Sequence, residues 1–348
     1  MFPPAPALAV SPDGLRLAVS TGASTVGLFS TETLQREATF PIRPSGDPIT
    51  ALTWSPTGSV LAVGARGGVV QLWRVDGRPR LERALLGLAP LPGQGEAIQA
   101  LAFSPDGGLL AASDKSHTTT VGHMLVSPLA QMALWRVASG TLVAPPADLG
   151  AGTGLNGSDV VAFSPDGKDL AASLLTGGVR LFDPMSGQVL RALSDPGDQS
   201  ISLAFAPPGA LAAGTLGGTV ETWDASNGKR LGPVLLADSV PITSLAFDPA
   251  GRRFATAGYG DGTVKLWFTA GMQQQSVRLA SDPDSTAAAA FEPGGRALVV
   301  VDDRGGAFIW PTSRAAWEQR ACAIAGRNLT RGEWAQFVGG PSYTTVCP

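Results

Sequence analysis

A turn motif that recurs seven times constrains the fold of this chain more than any other feature. Each copy is a short apolar run that ends in a proline-containing turn and a glycine, and the copies read LAVSPDG, LTWSPTG, LAFSPDG, VAFSPDG, LAFAPPG, LAFDPAG and AAFEPGG. The closing glycines are Gly14, Gly58, Gly107, Gly167, Gly209, Gly251 and Gly295. Proline presets φ for a tight turn, and glycine supplies the positive φ that ends it. Each copy therefore predicts two short strands joined by a turn.

A third strand follows each motif and ends in an aromatic residue. These aromatics are Phe29, Trp73, Trp135, Phe182, Trp223, Trp267 and Trp310. Glycine-rich turns precede most of them, which is typical of β-hairpins, and a looser fourth strand comes after. Four short antiparallel strands, repeated seven times, predict an all-β, seven-bladed β-propeller over residues 1–311, with a tail at 312–348 packed on it. We expect the aromatics to fill the space between neighbouring blades.

These repeats resemble the WD-repeat family, in which an SPDG-type turn, small apolar residues and a strand ending in VxLW recur in phase. The resemblance covers about residues 7 to 310. The one Gly-His dipeptide of the chain, Gly122–His123, lies in the long insertion and not in the repeated part of any blade, and only Trp223–Asp224 keeps the Trp-Asp pair. The family's histidine-centred hydrogen-bond network is therefore not expected here. The resemblance implies a non-enzymatic scaffold that binds a protein partner.

The tail predicts two short helices. SRAAWEQRACAIAGR reads as a helix that ends at Gly326, and Thr330 with Glu333 forms a capping box that opens a second helix. The whole tail resembles the C-terminal end of bacterial WD-repeat proteins. Many of these are signalling proteins in which the propeller follows a STAND-type NTPase or a protein kinase. This leaves open an alternative, that the chain is the regulatory sensor module of such a larger protein.

Two points about the tail stay open from the sequence. Cys322 and Cys347 could pair, closing a loop of about 26 residues worth roughly 3–4 kcal/mol, or could stay reduced as the cytosol favours. Blade seven could have three strands, could gain an edge strand from Tyr343 to Val346, or could be completed by polypeptide upstream of Met1. We expect the two cysteines to lie close together.

Composition excludes several other functions. The chain has 25 basic and 28 acidic residues, so it lacks the basic surplus of a nucleic-acid binder. It has no positive charge before Arg16 and no apolar run of about 18 residues, which predicts a cytoplasmic protein without membrane contact. Neither a GxxxxGK[ST] nor a GxSxG motif occurs, so we expect no catalysis and no cofactor. With two histidines we expect no metal site, and we expect the isolated propeller to be a monomer.

Irregular spacing marks the candidate partner-binding site. The longest repeat contains two insertions, at about 114–130 within blade three and at about 145–158 between blades three and four. In WD-type topology both reach one rim, the top face, where they would form a binding surface. The alternative is that they are tolerated surface loops. The candidate residues are Lys115, His117, His123, Leu125, Asp148, Leu155 and Asn156, together with Arg66, Tyr259 and Arg304 of other blades. A small-ligand site in the central channel is a third possibility.

Overall fold

The structure, a computed structural model, describes most of the chain. The described residues are 7–22, 24–43, 46–85, 97–115, 119–121, 124–126, 129–151, 160–174, 177–193, 199–274, 279–280, 287–302, 306–328, 330–337, 345 and 347.

Seven antiparallel sheets follow one another along the chain. Blades one and two contain β1 (Leu8–Val10), β2 (Arg16–Ser20), β3 (Thr25–Ser30), β4 (Arg36–Pro41), β5 (Ile49–Trp54), β6 (Val60–Ala65), β7 (Val70–Arg74) and β8 (Arg80–Leu85). Blade three contains β9 (Ala97–Phe103), β10 (Leu109–Lys115), β13 (Leu129–Arg136), β14 (Thr141–Leu142) and β15 (Ala147–Ala151). A separate hairpin, β11 (Thr119–Val121) with β12 (Met124–Val126), lies between β10 and β13 in the chain.

The remaining four blades keep the same strand order. Blades four and five contain β16 (Val161–Phe163), β17 (Leu170–Ser173), β18 (Val179–Phe182), β19 (Val189–Ala192), β20 (Ser200–Ala206), β21 (Ala210–Thr215), β22 (Thr219–Asp224) and β23 (Leu235–Leu236). Blades six and seven contain β24 (Ile242–Phe247), β25 (Arg253–Gly258), β26 (Thr263–Phe268), β27 (Gln273–Gln274), β28 (Leu279–Ala280), β29 (Ala287–Phe291), β30 (Ala297–Asp302) and β31 (Ala307–Pro311).

The first strands of the blades line a closed ring. Each contacts the first strand of the next blade, and β29 of blade seven contacts β1 of blade one. Side chains from both blades meet at that junction in a cluster that includes Leu17, Val19, Val299 and Val301. The architecture is a seven-bladed β-propeller with two short helices, which confirms the fold predicted from the repeats.

The third-strand aromatics pack between blades as predicted. Trp73, Trp135, Phe182, Trp223 and Trp267 are buried, and each belongs to a hydrophobic cluster that joins neighbouring blades. Phe29 and Trp310 are only half-buried. These two belong to blades one and seven, the pair that closes the ring.

We name the turns that end in the seven repeated glycines the closing turns. Those closing turns that contain both Ser and Asp share one hydrogen-bond pattern. In blade one the Ser11 hydroxyl donates to Asp13 Oδ1 at 2.5 Å and accepts from the Arg16 N–H, and Asp13 accepts from the Leu15 N–H. Blades three and four repeat it with Ser104–Asp106 and Ser164–Asp166. The serine hydroxyl is the largest cause that lowers the pKa of Asp13 and of the two equivalent aspartates below 3.8. Six of the seven glycines have φ between 65° and 74°, and Gly209 has 156°.

The tail forms the two predicted helices. α1 (Arg314–Ala325) begins after the N-cap Ser313, whose hydroxyl accepts from the Ala316 N–H, and it ends at Gly326 in the left-handed conformation. α2 (Arg331–Phe337) begins with the capping box, in which Thr330 and Glu333 each accept the other's backbone N–H. Trp317 of α1 packs against the hydrophobic cluster of blades six and seven, which holds the tail to the propeller.

A disulfide joins α1 to the C-terminal end of the tail. Cys322 and Cys347 are bonded, with their Cα atoms 5.3 Å apart. The side-chain amide of Asn328 accepts from the Cys347 N–H and donates to the Cys347 carbonyl. Both polar groups of the Cys347 backbone are therefore bonded to Asn328. Arg327 and the Thr330 N–H bond Glu333 and lower the pKa of that carboxyl to about 2. In the described residues blade seven has three strands, and most of the Tyr343–Val346 segment lies outside those residues.

Candidate functional site

The first insertion of blade three is partly built as a β-hairpin. β10 runs as far as Lys115, which pairs with Ala97 of β9, and β13 begins at Leu129. Between them β11 pairs with β12, where Leu125 lies opposite Thr120. The described part of this insertion therefore contains a short two-stranded hairpin as well as the ends of β10 and β13.

The second insertion is not entirely a loop, which corrects the interpretation from sequence. β15 pairs with β13, so that Asp148 lies in an edge strand opposite Gln131. The physical reason is that β13 has eight residues, whereas β14 covers only its end at Trp135 and Arg136. The rest of the β13 edge would expose unpaired backbone groups, and β15 satisfies them.

The structure brings the two insertions together at one end of blade three. Leu129, the first residue of β13, pairs with Ala151, the last residue of β15. The start of β13 and the end of β15 therefore lie side by side. That the two insertions form one binding surface stays a prediction.

Two candidate residues from other blades lie at the same end of the strands. Arg66 forms a β-bridge with Ala97, so the backbones of Arg66 and Lys115 flank Ala97 on either side. The Arg66 N–H donates to the Pro48 carbonyl, and the Tyr259 N–H makes the matching bond to Pro241. We name the end of the propeller that carries Arg66, Lys115 and Tyr259 the top face. The opposite end, with the closing turns, is the turn face.

Five candidates cannot be placed. His117, His123, Leu155, Asn156 and Arg304 lie outside the described residues. Arg66 is exposed and Tyr259 is half-buried, so both side chains reach the surface of the top face.

Buried carboxylates support this face, and the candidate residues from sequence did not include them. Asp114 is almost fully buried at the base of the first insertion, where Oδ1 accepts the Gln131 N–H at 2.7 Å and ties β10 to β13. Between blades five and six, Lys265 Nζ lies 2.7 Å from Asp238 Oδ2 and donates to the Ala237 carbonyl. A carboxylate inside an otherwise apolar strand, as in LLAASDK, is the signal that could have found Asp114.

Metal and membrane chemistry find no support among the residues that can be placed. Within them, no group of three or more His, Cys, Asp or Glu side chains is arranged to hold a metal ion. No helix in the described ranges is both long enough and apolar enough to cross a membrane.

Comparison with known families gives the repeat type. The WD domain, G-beta repeat family matches residues 37–74, 88–121 and 233–267. The first and third matches begin in or just before the outer strand of one blade and end at the third strand of the next, at Arg74 and Trp267. The chain is a seven-bladed WD-repeat β-propeller.

Curated relatives of this WD-repeat propeller align over part of its length. Telomerase protein component 1 is 37% identical over 99 residues in Mus musculus and 35% identical over 99 residues in Rattus norvegicus. Both alignments cover 28% of this chain and 4% of the relative. WD repeat-containing protein SL1-17 of Schistosoma mansoni is 31% identical over 132 residues, which cover 36% of this chain and 40% of that one. The propeller therefore spans much less than the full length of these relatives.

A solved structure agrees with the WD-repeat fold. A chain in the crystal structure of the mitotic checkpoint complex superposes with a TM-score of 0.68 at 19% identity, covering 88% of this propeller and 86% of that chain. At this identity the similarity shows the fold alone. The relatives named above are eukaryotic, and the resemblance of the tail to bacterial STAND-type proteins stays a prediction.

Proposed function

We propose that this WD-repeat propeller is a non-enzymatic scaffold that binds a protein partner through the top-face insertions of blades three and four. WD40 propellers are generally scaffolds for protein interactions, and that is the coarse assignment of this chain. The observation that carries the finer proposal is the pairing of Leu129 with Ala151, which places two insertions side by side. Because the two insertions start from paired residues of one sheet, we infer that they contribute to one binding surface.

A loop-shortening variant tests this proposal. Residues 116–128 are replaced by an Asn-Gly turn between β10 and β13, and 152–159 by a short Gly-Ser linker, so that β15 is kept. We expect the same thermal unfolding midpoint, because these replacements spare all five strands of blade three. We expect loss of partner binding, measured with a purified partner.

Site-specific photocrosslinking identifies that partner and locates its contact. A photoreactive amino acid is placed at Leu125 in the hairpin and, as the matched control, at Leu236, which is 71% exposed on the outer strand of blade five. We expect a cross-linked protein from Leu125 only. Equal cross-linking at both positions, or full binding of the purified partner by the shortened variant, contradicts the top-face site.

A second candidate is that the chain is the sensor module of a larger signalling protein, gating an NTPase or a kinase. The sensor-module candidate is favoured because this chain aligns with only 4% of each telomerase relative. Those proteins carry the aligned segment within much longer chains. An immunoblot of source cells with peptide mapping by mass spectrometry tests it. A species much larger than 35.5 kDa supports a module, and a species of that mass supports an independent scaffold. We propose a monomer in the cytoplasm that binds neither nucleic acid nor membrane.

A further inference from the structure

The turn between β13 and β14 places an exposed serine on the turn face of blade three. Ser139 lies at the tip of this turn, which the Gly140 N–H closes by donating to the Arg136 carbonyl at 2.8 Å. The Ser139 hydroxyl oxygen lies 2.7 Å from the Thr141 hydroxyl and accepts from the Thr141 N–H at 3.3 Å. Both bonds are at the surface, so the Ser139 oxygen is accessible to another protein.

Two arginines lie beside this hydroxyl. Arg136 precedes Ser139 by three positions and lies opposite Thr141 in the pairing of β13 with β14. Residues paired in this way project from the same face of a sheet. From blade two, the Arg83 guanidinium donates to the backbone carbonyls of Ser139 and Ala138. Positive charge therefore reaches this serine from two different blades.

Two carboxylates lie near the turn, and both have partners of their own. Glu82, next to Arg83 on β8, is in an ion pair with an arginine of β7 at 2.8 Å. Asp106, in the closing turn of blade three, accepts two hydrogen bonds within its own turn. Arg83 and Arg136 together outweigh the charge of Asp106, so the surroundings of the serine favour an anion.

The equivalent turn of blade four has the opposite charge. The Gly187 N–H closes it on the Asp183 carbonyl at 2.7 Å. Ser186 is exposed like Ser139, but its hydroxyl donates to Asp183 Oδ2 at 2.8 Å. Asp183 stands where blade three has Arg136. The same backbone turn therefore presents one serine beside arginine and another beside a carboxylate.

An arginine three positions before a hydroxyl occurs four times among the described residues, and their surroundings differ. Thr256 is buried, Thr39 is paired within β4, and the Thr330 hydroxyl caps α2. Of the four, Ser139 alone lies in a turn, and the strand that follows it, β14, has only two residues. So short an edge strand can open locally, which lets an enzyme bind the segment in an extended form.

We propose that Ser139 is a phosphorylation site for a serine kinase that selects an arginine three positions before its target. The Ser139 oxygen attacks the γ-phosphorus of ATP, and a new O–P bond forms. The bond from that phosphorus to the β,γ-bridging oxygen breaks, ADP leaves, and the hydroxyl proton passes to the aspartate base of the kinase. Charge patterns around the target are one means by which kinases choose their substrates.

The phosphate on Ser139 is placed to bond both arginines. It adds about 1.5–2 negative charges, and arginine is the preferred side chain for binding phosphate. Because Arg83 belongs to β8, the phosphate would join blade two to blade three. It would also reverse the net charge of this part of the turn face. This site is separate from the proposed top-face site, and each can fail without the other.

Phosphorylation of the full chain by the catalytic subunit of cyclic-AMP-dependent protein kinase, an arginine-directed serine kinase, tests the proposal. Peptide mapping by mass spectrometry should find phosphate on Ser139 and none on Ser186, the matched serine of blade four. A synthetic peptide of residues 132–143 serves as the positive control for the kinase. Arg136→Gln should slow incorporation at Ser139 by about tenfold, as expected from the loss of one charged contact with the kinase.

Phosphorus NMR of the phosphorylated chain tests the role of the arginine from blade two. The phosphoserine should lose its last proton at a lower pH than in the phosphorylated peptide, because the arginines favour the dianion. Arg83→Gln should move this titration back towards that of the peptide. Arg78→Gln, at an exposed arginine of the turn between β7 and β8, is the matched control and should leave the titration unchanged.

Three results would overturn the proposal. They are a peptide that the kinase does not phosphorylate, a folded chain without phosphate at Ser139 when the peptide is phosphorylated, and equal incorporation at Ser139 and Ser186. A phosphoserine that titrates in the folded chain as it does in the peptide would overturn the joining of the two blades. Thermal unfolding of each variant before phosphorylation shows that a loss of signal does not come from misfolding.

Discussion

Pro293 of blade seven lies against Gly14 of blade one, where a Cβ on the glycine would be 2.9 Å from the proline Cδ. This contact belongs to a series, in which the glycine of a closing turn meets the proline of the preceding blade. The other pairs are Gly58–Pro12, Gly107–Pro56, Gly167–Pro105, Gly251–Pro207 and Gly295–Pro249. The glycine therefore serves two needs at once: a positive φ in its own turn and space for the neighbouring blade.

Gly14→Ala should destabilise the propeller at its point of closure. The substitution forces a non-glycine residue to adopt a φ of 74°. It also places a methyl group too close to the side chain of Pro293 on the neighbouring blade. The matched control is Gly260→Ala, at φ 68°, because no atom lies within 4 Å of its Cβ position. We expect a loss of about 1 kcal/mol for the control from the left-handed backbone alone. We expect a further loss of about 1–3 kcal/mol for Gly14→Ala.

Urea denaturation of the two variants measures this difference. Equal unfolding free energies would show that the closing contact with Pro293 adds nothing to the cost of the backbone conformation.

Arg253→Gln should cost about 3 kcal/mol or more of unfolding free energy. The change leaves the carboxylate of Asp248, which is 4% exposed, without its ion partner, and it removes the bonds to Thr312 and Gly295. Arg252→Gln is the neighbouring control, since the Arg252 side chain is exposed. Thermal unfolding by circular dichroism compares them, and a midpoint for Arg253→Gln that equals the control value contradicts the structural role of this arginine.

The closing-turn aspartates should make stability depend on pH in acid. Hydrogen bonds from the Ser11 and Ser104 hydroxyls lower the folded-state pKa of Asp13 and Asp106 below 3.8. A lowered carboxyl pKa contributes stability that is fully present above the unfolded pKa and is lost as the pH falls through the folded one. The double variant Asp13→Asn/Asp106→Asn should therefore unfold at a lower temperature than the parent at pH 7. The two midpoints should approach each other towards pH 3.

Asp169 provides a control in which the expected change with pH has the opposite sign. Burial raises the pKa of Asp169, so its contribution to stability is present at low pH and is lost as the pH rises. Asp169→Asn should therefore enlarge the loss of stability on acidification, where the double variant reduces it. Melting curves between pH 7 and pH 3 measure both, and changes of the same sign contradict the assigned pKa directions.

Cys347→Ser should loosen the tail and leave the blades folded. The disulfide to Cys322 spans 25 residues, and its loss removes about 3 kcal/mol in the chain-entropy account. Hydrogen exchange should show faster opening of α1 and α2, and a reducing agent should do the same to the parent and nothing more to the variant. Unchanged exchange in both helices contradicts this.

The oxidation state in cells bears on the proposed cytoplasmic location. Disulfides are kept reduced by cytosolic glutathione and persist in oxidising compartments. Rapid alkylation of thiols in lysed source cells, followed by mass spectrometry, should find both cysteines alkylated if the protein is cytoplasmic. Protection of Cys322 and Cys347 would contradict that location.

The repeat in the sequence was sufficient to predict the fold, because each blade is specified locally. Proline and glycine set the turns, alternating apolar residues set the strands, and an aromatic at fixed phase sets the packing of the next blade. The same local logic predicted α1, with its end at Gly326, and the capping box of Thr330 and Glu333. The placement of β15 was missed, because its pairing depends on how far β13 extends rather than on its own composition.

The amino-acid sequence by itself determined the number of blades, the turns and the helical tail, since these depend on interactions between residues close in the chain. Only the tertiary structure decided which distant groups meet. The contact of Pro293 with Gly14, the bonds of Arg253 to Thr312 and Gly295, and the pairing of Leu129 with Ala151 all join separate turns or blades. Such contacts depend on the curvature of the closed ring and on exact strand lengths, and short-range patterns in a sequence do not encode either quantity.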